Sequence, residues 1–196
     1  MTRSELIRAV PEAAWRSADP DPARAALLLV DMQEFFRSMA EDIIPRLGEL
    51  AAVCRVKGIP VLFTRHGHTD PAEDGGMLGA WWGDLIVEGS AGWHLVDELA
   101  PQPGDSVLPK KRYSAFFGTD LDETLEKAGV RDLIIGGVMT NLCCETTARD
   151  AFVRDYRVFF LADGTATADE TYHIATLRNL AFGFAYMALC EEICEL

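Results

Sequence analysis

Short apolar runs punctuate the chain, and amphipathic or glycine-rich stretches separate them. Residues 25–30 (Ala-Ala-Leu-Leu-Leu-Val), 59–64, 132–136 and 157–162 are continuous apolar runs rich in branched residues. Such runs read as strands buried on both faces. Residues 105–109 form a shorter, edge-like strand, and residues 184–189 a last strand or turn. Between them, helical spacing recurs. Ile44, Leu47, Leu50, Ala51 and Cys54 make one apolar face over residues 43–57, which Gly58 ends. Thr119 or Asp120 caps a helix through Leu121, Leu125 and Ala128 that stops at Gly129, and residues 171–182 form another. Residues 96–99 read as a helical turn. Strands alternating with helices predict a single-domain α/β fold, an open, mainly parallel sheet with helices on both faces. Residues 1–24 are polar and carry Pro11, Pro20 and Pro22. They read as an N-terminal arm with one short helix near Glu12–Trp15, Trp15 packing on the body or a neighbouring subunit, ahead of a domain over residues 25–196.

The most informative stretch begins at Leu133. Two glycines and Thr140-Asn141 break the strand, and Leu142, Thr146, Phe152, Val153 and Tyr156 then suit a helix with Thr140 or Asn141 as N-cap. Cys143 and Cys144 therefore fall in the first turn of a helix after a buried parallel strand. Open α/β sheets bind ligands at that edge, and a helix N-terminus favours an anion such as a thiolate. Read locally, either cysteine is a nucleophile or a small buried hydrophobe.

Other strand ends carry chemistry as well. Asp31 follows the first run, as a turn former or as a carboxylate at the sheet edge. His66 and His68 with Asp70 follow the second, as two potential metal ligands or as hydrogen-bonded loop residues. Lys110, Lys111 and Arg112 follow the third, as a functional positive patch or a solvated basic turn. Residues 74–92 make a long glycine-rich loop with Trp81 and Trp82, a pocket wall or lid.

Composition narrows the function. The formal net charge of −13 argues against nucleic acid or an anionic membrane as partner. Five cysteines without a disulfide-like framework, no long apolar N-terminal run and no membrane-length segment predict a cytoplasmic protein.

Four segments, in order, resemble the isochorismatase-like cysteine hydrolase superfamily. They are Leu28-Leu29-Val30-Asp31-Met32-Gln33, Lys110-Lys111-Arg112-Tyr113-Ser114-Ala115-Phe116, Gly137-Val138-Met139-Thr140-Asn141-Leu142-Cys143, and Thr146-Thr147-Ala148-Arg149-Asp150-Ala151. The resemblance runs from Arg24 to the C-terminus. It implies a triad of Asp31, Lys110 and Cys143, with Cys144 as packing. It also implies an oxyanion hole made by the backbone N–H groups of Met139 and Cys143, with a cis peptide between Val138 and Met139. In this chemistry Asp31 takes the thiol proton, while Lys110 and the helix N-terminus favour the thiolate. Cys143 attacks a carbonyl carbon and forms a thioester.

The branches of the superfamily differ. Isochorismatases replace the nucleophile and carry an arginine in the loop that here reads Asp74-Gly75-Gly76-Met77-Leu78-Gly79. Nicotinamidases resemble the chain at Asp31, Phe36, Trp82 and Cys143, but bind a metal through Asp-x-His and a further histidine. Here those positions read His66-x-His68 and Leu85 or Ile86. Ureidoacrylate and N-carbamoyl amide hydrolases are closest in motif. The resemblance thus implies a metal-independent amidohydrolase of a small amide or carbamoyl-type substrate, with no cofactor. An isochorismatase-type vinyl ether hydrolase, a nicotinamidase/pyrazinamidase-like amidase and a catalytically idle scaffold are the alternatives. Phe36, His66, Trp82, Phe116 and Thr147 are the expected substrate-binding residues, and a homo-oligomer, dimer or tetramer, the expected assembly.

Overall fold

The computed structural model describes residues 3–10 and 16–196. The short helix expected near Glu12–Trp15 lies outside those residues; the helix described in the arm is Arg3–Ala9. Among the described residues, six strands form one sheet: β1 (Ala25–Val30), β2 (Val61–His66), β3 (Ser106–Lys110), β4 (Asp132–Val138), β5 (Arg157–Ala166) and β6 (Tyr186–Ala188). Their order is β3-β2-β1-β4-β5-β6, and every pairing is parallel. Adjacent strands therefore need crossovers, and the crossovers place helices on the sheet faces.

Alternate strand residues feed two cores. Ala26, Leu28, Val30, Leu133, Ile135 and Phe160 pack with Leu121, Leu125, Ala148, Ala151, Leu177 and Leu180. These last six come from the helices Leu121–Lys127, Glu145–Val153 and Glu170–Gly183. Leu27, Leu29, Phe63, Ile134 and Phe159 pack on the opposite face with Leu47, Leu50, Cys54 and Ile193, from Ile44–Val56 and Cys190–Cys194. A sheet covered on both faces has no room for polar alternation, which is why its strands are continuous apolar runs.

The chain turns around at β1. It runs outward through β2 to β3, then crosses back to β4 on the other side of β1. The carboxyl ends of β1 and β4 thus flank the topological switch point, where the loops diverge and leave a crevice. Gly137 permits this neighbourhood. Its φ is +115°, and a Cβ there would lie 2.1 Å from the Val30 carbonyl oxygen.

Several elements differ from the sequence expectation. The stretch 74–92 is not a bare loop: Pro71–Asp74 ends in it, and it holds the helix Gly76–Trp82 and the start of a 3-10 turn, Ala91–Trp93. β5 continues past Asp163-Gly164 to Ala166. Asp163 lies within the strand, and its carboxylate accepts from the Cys190 N–H at 2.8 Å at the start of the last helix. The expected N-cap at Thr140 or Asn141 is absent. Thr140–Cys144 forms a π turn ahead of the helix Glu145–Val153, and the Thr140 hydroxyl is engaged elsewhere.

Candidate active site

Asp31, Lys110 and Cys143 meet at the switch point. Asp31 is the first residue after β1 and sits at φ +49°, a conformation that non-glycine residues seldom adopt. Thr64 of β2 holds it there: its hydroxyl donates to Asp31 Oδ1 at 2.6 Å and accepts from the Asp31 N–H at 3.0 Å. Lys110 ends β3, two strands away. Its Nζ lies 2.7 Å from Asp31 Oδ2 and 3.3 Å from the Cys143 sulfur, and donates to the Arg112 carbonyl at 2.9 Å. The Lys110 and Asp31 side chains are fully buried, so the pair is shielded from the screening that weakens surface ion pairs. Lys111 points the other way, 45% exposed and paired with Asp74 at 2.6 Å. Successive residues of an extended segment face opposite sides, which separates the two lysines.

Cys143 is 8% exposed and lines a cavity; Cys144 is 0% exposed in the core. Burial raises the Cys143 pKa, Lys110 opposes it, and Asp31, which accepts a hydrogen bond from the thiol, adds to the rise, leaving it at about 12. Burial and Asp31 thus favour the thiol, against the pull of Lys110 toward the thiolate. For Lys110, burial works against the charge, but the adjacent Asp31 carboxylate outweighs it and its pKa is raised.

The cavity above the sulfur holds about 360 Å³. Phe36, Leu78, Trp82, Leu85, Ile86, Tyr113, Met139 and Leu142 give it apolar walls, and His66 is its one imidazole. Burial, followed by Lys110, brings the His66 pKa down to about 4, so the ring is neutral. The peptide bond from Val138 to Met139 is cis. Gln33 locks the rim: its side chain donates to the His66 and Trp93 carbonyls at 2.8 and 2.9 Å and accepts from the His66 N–H at 2.7 Å.

Two expected substrate-binding residues lie elsewhere. Phe116 is buried in the core, its ring 5.9 Å from that of Tyr156 and covered by the Arg154 guanidinium. Of the adjacent phenylalanines, it is the one turned inward. Thr147 faces the loop after β3, where its hydroxyl accepts from the Ala115 N–H at 2.9 Å. One turn on, Asp150 accepts from the Ser114 hydroxyl at 2.5 Å. These two residues clamp the segment that follows Lys110 and do not face the cavity. Thr64, Gln33, Tyr113 and Leu142 were not anticipated as site residues. Gln33, Tyr113 and Leu142 lie inside the motif segments, which was the one available signal; Thr64 does not.

The histidines do not assemble a metal site. Nδ1 of His66 and Nε2 of His68 have no hydrogen-bond partner, but no third donor joins them. His68 Nδ1 is engaged with Asp74 at 2.9 Å, and Asp74 is engaged with Lys111. Leu85 and Ile86 occupy the nearby wall. Among the described residues, no group of three or more His, Cys, Asp or Glu side chains is placed to hold a metal. The residues present do not fit the metal that the nicotinamidase branch implies.

An open parallel α/β sheet with a buried Asp–Lys–Cys cluster at its switch point defines the class: a doubly wound α/β protein carrying a cysteine centre. The sequence matches the Isochorismatase domain over residues 25–192, and the chain belongs to the isochorismatase family. It is 49% identical over 181 residues to Nicotinamidase 3 of Arabidopsis thaliana, covering 91% of each chain. It is 34% identical over 205 residues to the ureidoacrylate amidohydrolase RutB of Pseudomonas syringae pv. syringae, covering 88% of this chain and 83% of that one. A cysteine hydrolase from Pseudomonas syringae pv. phaseolicola superposes with a TM-score of 0.87 at 26% identity, over 92% of this chain and 97% of the other. Among the described residues, no helix is long and apolar enough to cross a membrane.

Proposed function

We propose that the protein is a metal-independent cysteine amidohydrolase that cleaves the C–N bond of a small, uncharged amide through a thioester, with an aromatic primary amide of the nicotinamide type as its substrate class. The observation that carries this reading is the buried Asp31–Lys110–Cys143 contact set beneath an apolar cavity. The relative named a nicotinamidase supports it.

The steps follow from the geometry. As the Cys143 sulfur attacks the carbonyl carbon, Asp31 takes its proton, so the thiol need not ionise beforehand. The N–H groups of Met139 and Cys143 receive the oxyanion, and the Lys110 ammonium stabilises the negative charge shared with Asp31. The protonated Asp31 gives the proton to the leaving nitrogen, and ammonia departs. Asp31 then activates water to hydrolyse the thioester, and the thiol is restored.

The cavity decides between substrates. Phe36 and Trp82 suit a flat ring, and neutral His66 is the polar partner for a ring heteroatom. Lys110 is occupied by Asp31 and Cys143, and Asp84 is a further acid on the wall. No arginine lines the cavity, so a substrate carboxylate would meet no free cation there. That disfavours isochorismate and acidic carbamoyl compounds. A neutral carbamoyl-type amide meets the same requirements and is the second reading, supported by the ureidoacrylate amidohydrolase relative.

The reading includes a cytoplasmic homo-oligomer, dimer or tetramer, with neither nucleic acid nor membrane as partner. The free cysteines, the net charge of −13 and the exposed Met77, Trp81 and Phe117 beside the cavity support it. The test is ammonia release from nicotinamide, a neutral carbamoyl amide and ureidoacrylate, and pyruvate release from isochorismate, each with and without EDTA. Turnover of nicotinamide untouched by the chelator is expected. Loss in EDTA with rescue by zinc, iron or manganese, or turnover of isochorismate alone, would overturn the reading.

A further inference from the structure

The Thr140–Cys144 turn is tethered from outside. β5 ends at Ala166, and the stretch from Ala162 to Thr176 passes beside the turn. His173 Nε2 lies 3.1 Å from the Ala162 carbonyl, an acceptor only, so Nε2 carries the proton. In the neutral ring Nδ1 is then the acceptor. Its partner is the Thr140 hydroxyl at 3.0 Å, which must donate. Thr140 is fully buried and opens the turn, directly after Met139, whose N–H is one of the proposed oxyanion donors. The same flank is held at two further points: the Thr167 hydroxyl donates to Asn141 Oδ1 at 2.6 Å, and the Thr176 hydroxyl to Glu145 Oε2 at 2.8 Å.

We propose that His173 is a positioning residue for hydrolysis, acting through Thr140 to fix the turn that presents the Cys143 sulfur and the oxyanion donors. His173 does not line the cavity. It sets the tautomer, the tautomer orients the Thr140 hydroxyl, and the hydroxyl holds the first residue of the turn. A π turn is wider than an α turn, is rare, and is frequent at functional sites, so an external anchor has a clear purpose there. Oxyanion donors work only within a few tenths of an ångström of their place, so loosening the turn lowers kcat and leaves ground-state binding by the apolar walls intact.

The inference rests on the amidohydrolase reading for its kinetic arm. Thr140→Val removes the donor while keeping the shape, and Thr140→Ser restores it. The expected result with nicotinamide is a fall of about 10–100-fold in kcat for Thr140→Val, KM within threefold of wild type, and Thr140→Ser near wild type. His173→Leu should match Thr140→Val, and the double variant should be no worse than either, because both remove one bond. His173→Asn, whose amide oxygen can take the place of Nδ1, should recover part of the loss. If His173→Leu fails to fold, the Thr140→Val and Thr140→Ser pair still decides. Amide exchange over Asn141–Cys144 requires no substrate and should quicken in Thr140→Val. Unchanged exchange, unchanged kcat or additive losses overturn the inference. Quickened exchange in a protein inactive toward nicotinamide overturns the substrate assignment alone.

Discussion

The floor and the wall of the cavity are built differently. The floor is Cys143, on the turn after β4, backed by two buried strand ends: Asp31 after β1 and Lys110 ending β3. Its side chains are buried and bonded to one another or to Thr64. The wall is assembled from several segments: the stretch around Phe36, the helix Gly76–Trp82 with the chain that follows it, and Tyr113 and Leu142. There Trp82 is 53% exposed and tied by one hydrogen bond, from its ring N–H to the Tyr113 hydroxyl at 2.8 Å. On the proposed reading, reaction chemistry resides on the strand ends and substrate choice on the wall. Changes to the floor should lower kcat, and changes to the wall should alter KM and specificity.

The sharpest contrast lies between neighbouring cysteines. Cys143→Ala should keep the fold and reduce kcat by about 10⁴-fold or more, while Cys144→Ala, a small core truncation, should alter mainly stability. If Cys144→Ala were the inactive one, assignment of the nucleophile to the cavity-facing cysteine would fail. Lys110→Met comes next, with an expected loss of about 10²–10³-fold in kcat at little change in KM. Lys111→Met should be close to neutral, and equal losses in the two lysine variants would break the division between inner and outer lysine. Trp82→Ala should raise KM by about 3–10-fold with kcat nearly unchanged. A larger fall in kcat than in apparent affinity would mean that the wall takes part in the chemistry.

His66 separates wall from floor by pH. Its folded pKa is about 4, against 6.5 for an ordinary imidazole. Between those values the unfolded chain binds the proton and the folded protein does not. The stabilisation is therefore fully present above about pH 6.5 and lost as pH falls toward 4. His66→Gln should flatten the acid side of the stability curve in urea titrations at pH 4.5, 5.5 and 7. An unchanged slope would mean that another group carries it.

Much of this organisation was legible in the sequence because it is written in period and position. Apolar runs marked the strands, and charged or nucleophilic residues after them marked the sheet edge. What was not legible depended on tertiary contact. The helix Gly76–Trp82 was hidden because Gly75, Gly76 and Gly79 lower helix propensity. Gly76 starts the helix at φ +54°, a conformation that favours glycine. Phe116 and Phe117 are adjacent and chemically identical, and only the packing of Tyr156 against the first tells them apart. Thr147 belongs to a motif segment, but its partner is the Ala115 N–H, thirty-two residues earlier. The raised pKa of Cys143 comes first from burial, which outweighs the lysine visible in the sequence.

The central claim is that Cys143 forms a thioester with the acyl part of the amide. Hydroxylamine added during turnover of nicotinamide tests it most directly, because a thioester partitions between water and the stronger nucleophile whichever step limits the rate. The account expects nicotinohydroxamic acid to form with wild-type protein, in proportion to hydroxylamine, and not with Cys143→Ala. Continued ammonia release with nicotinic acid as the sole product at every hydroxylamine concentration would contradict it and indicate direct attack by water.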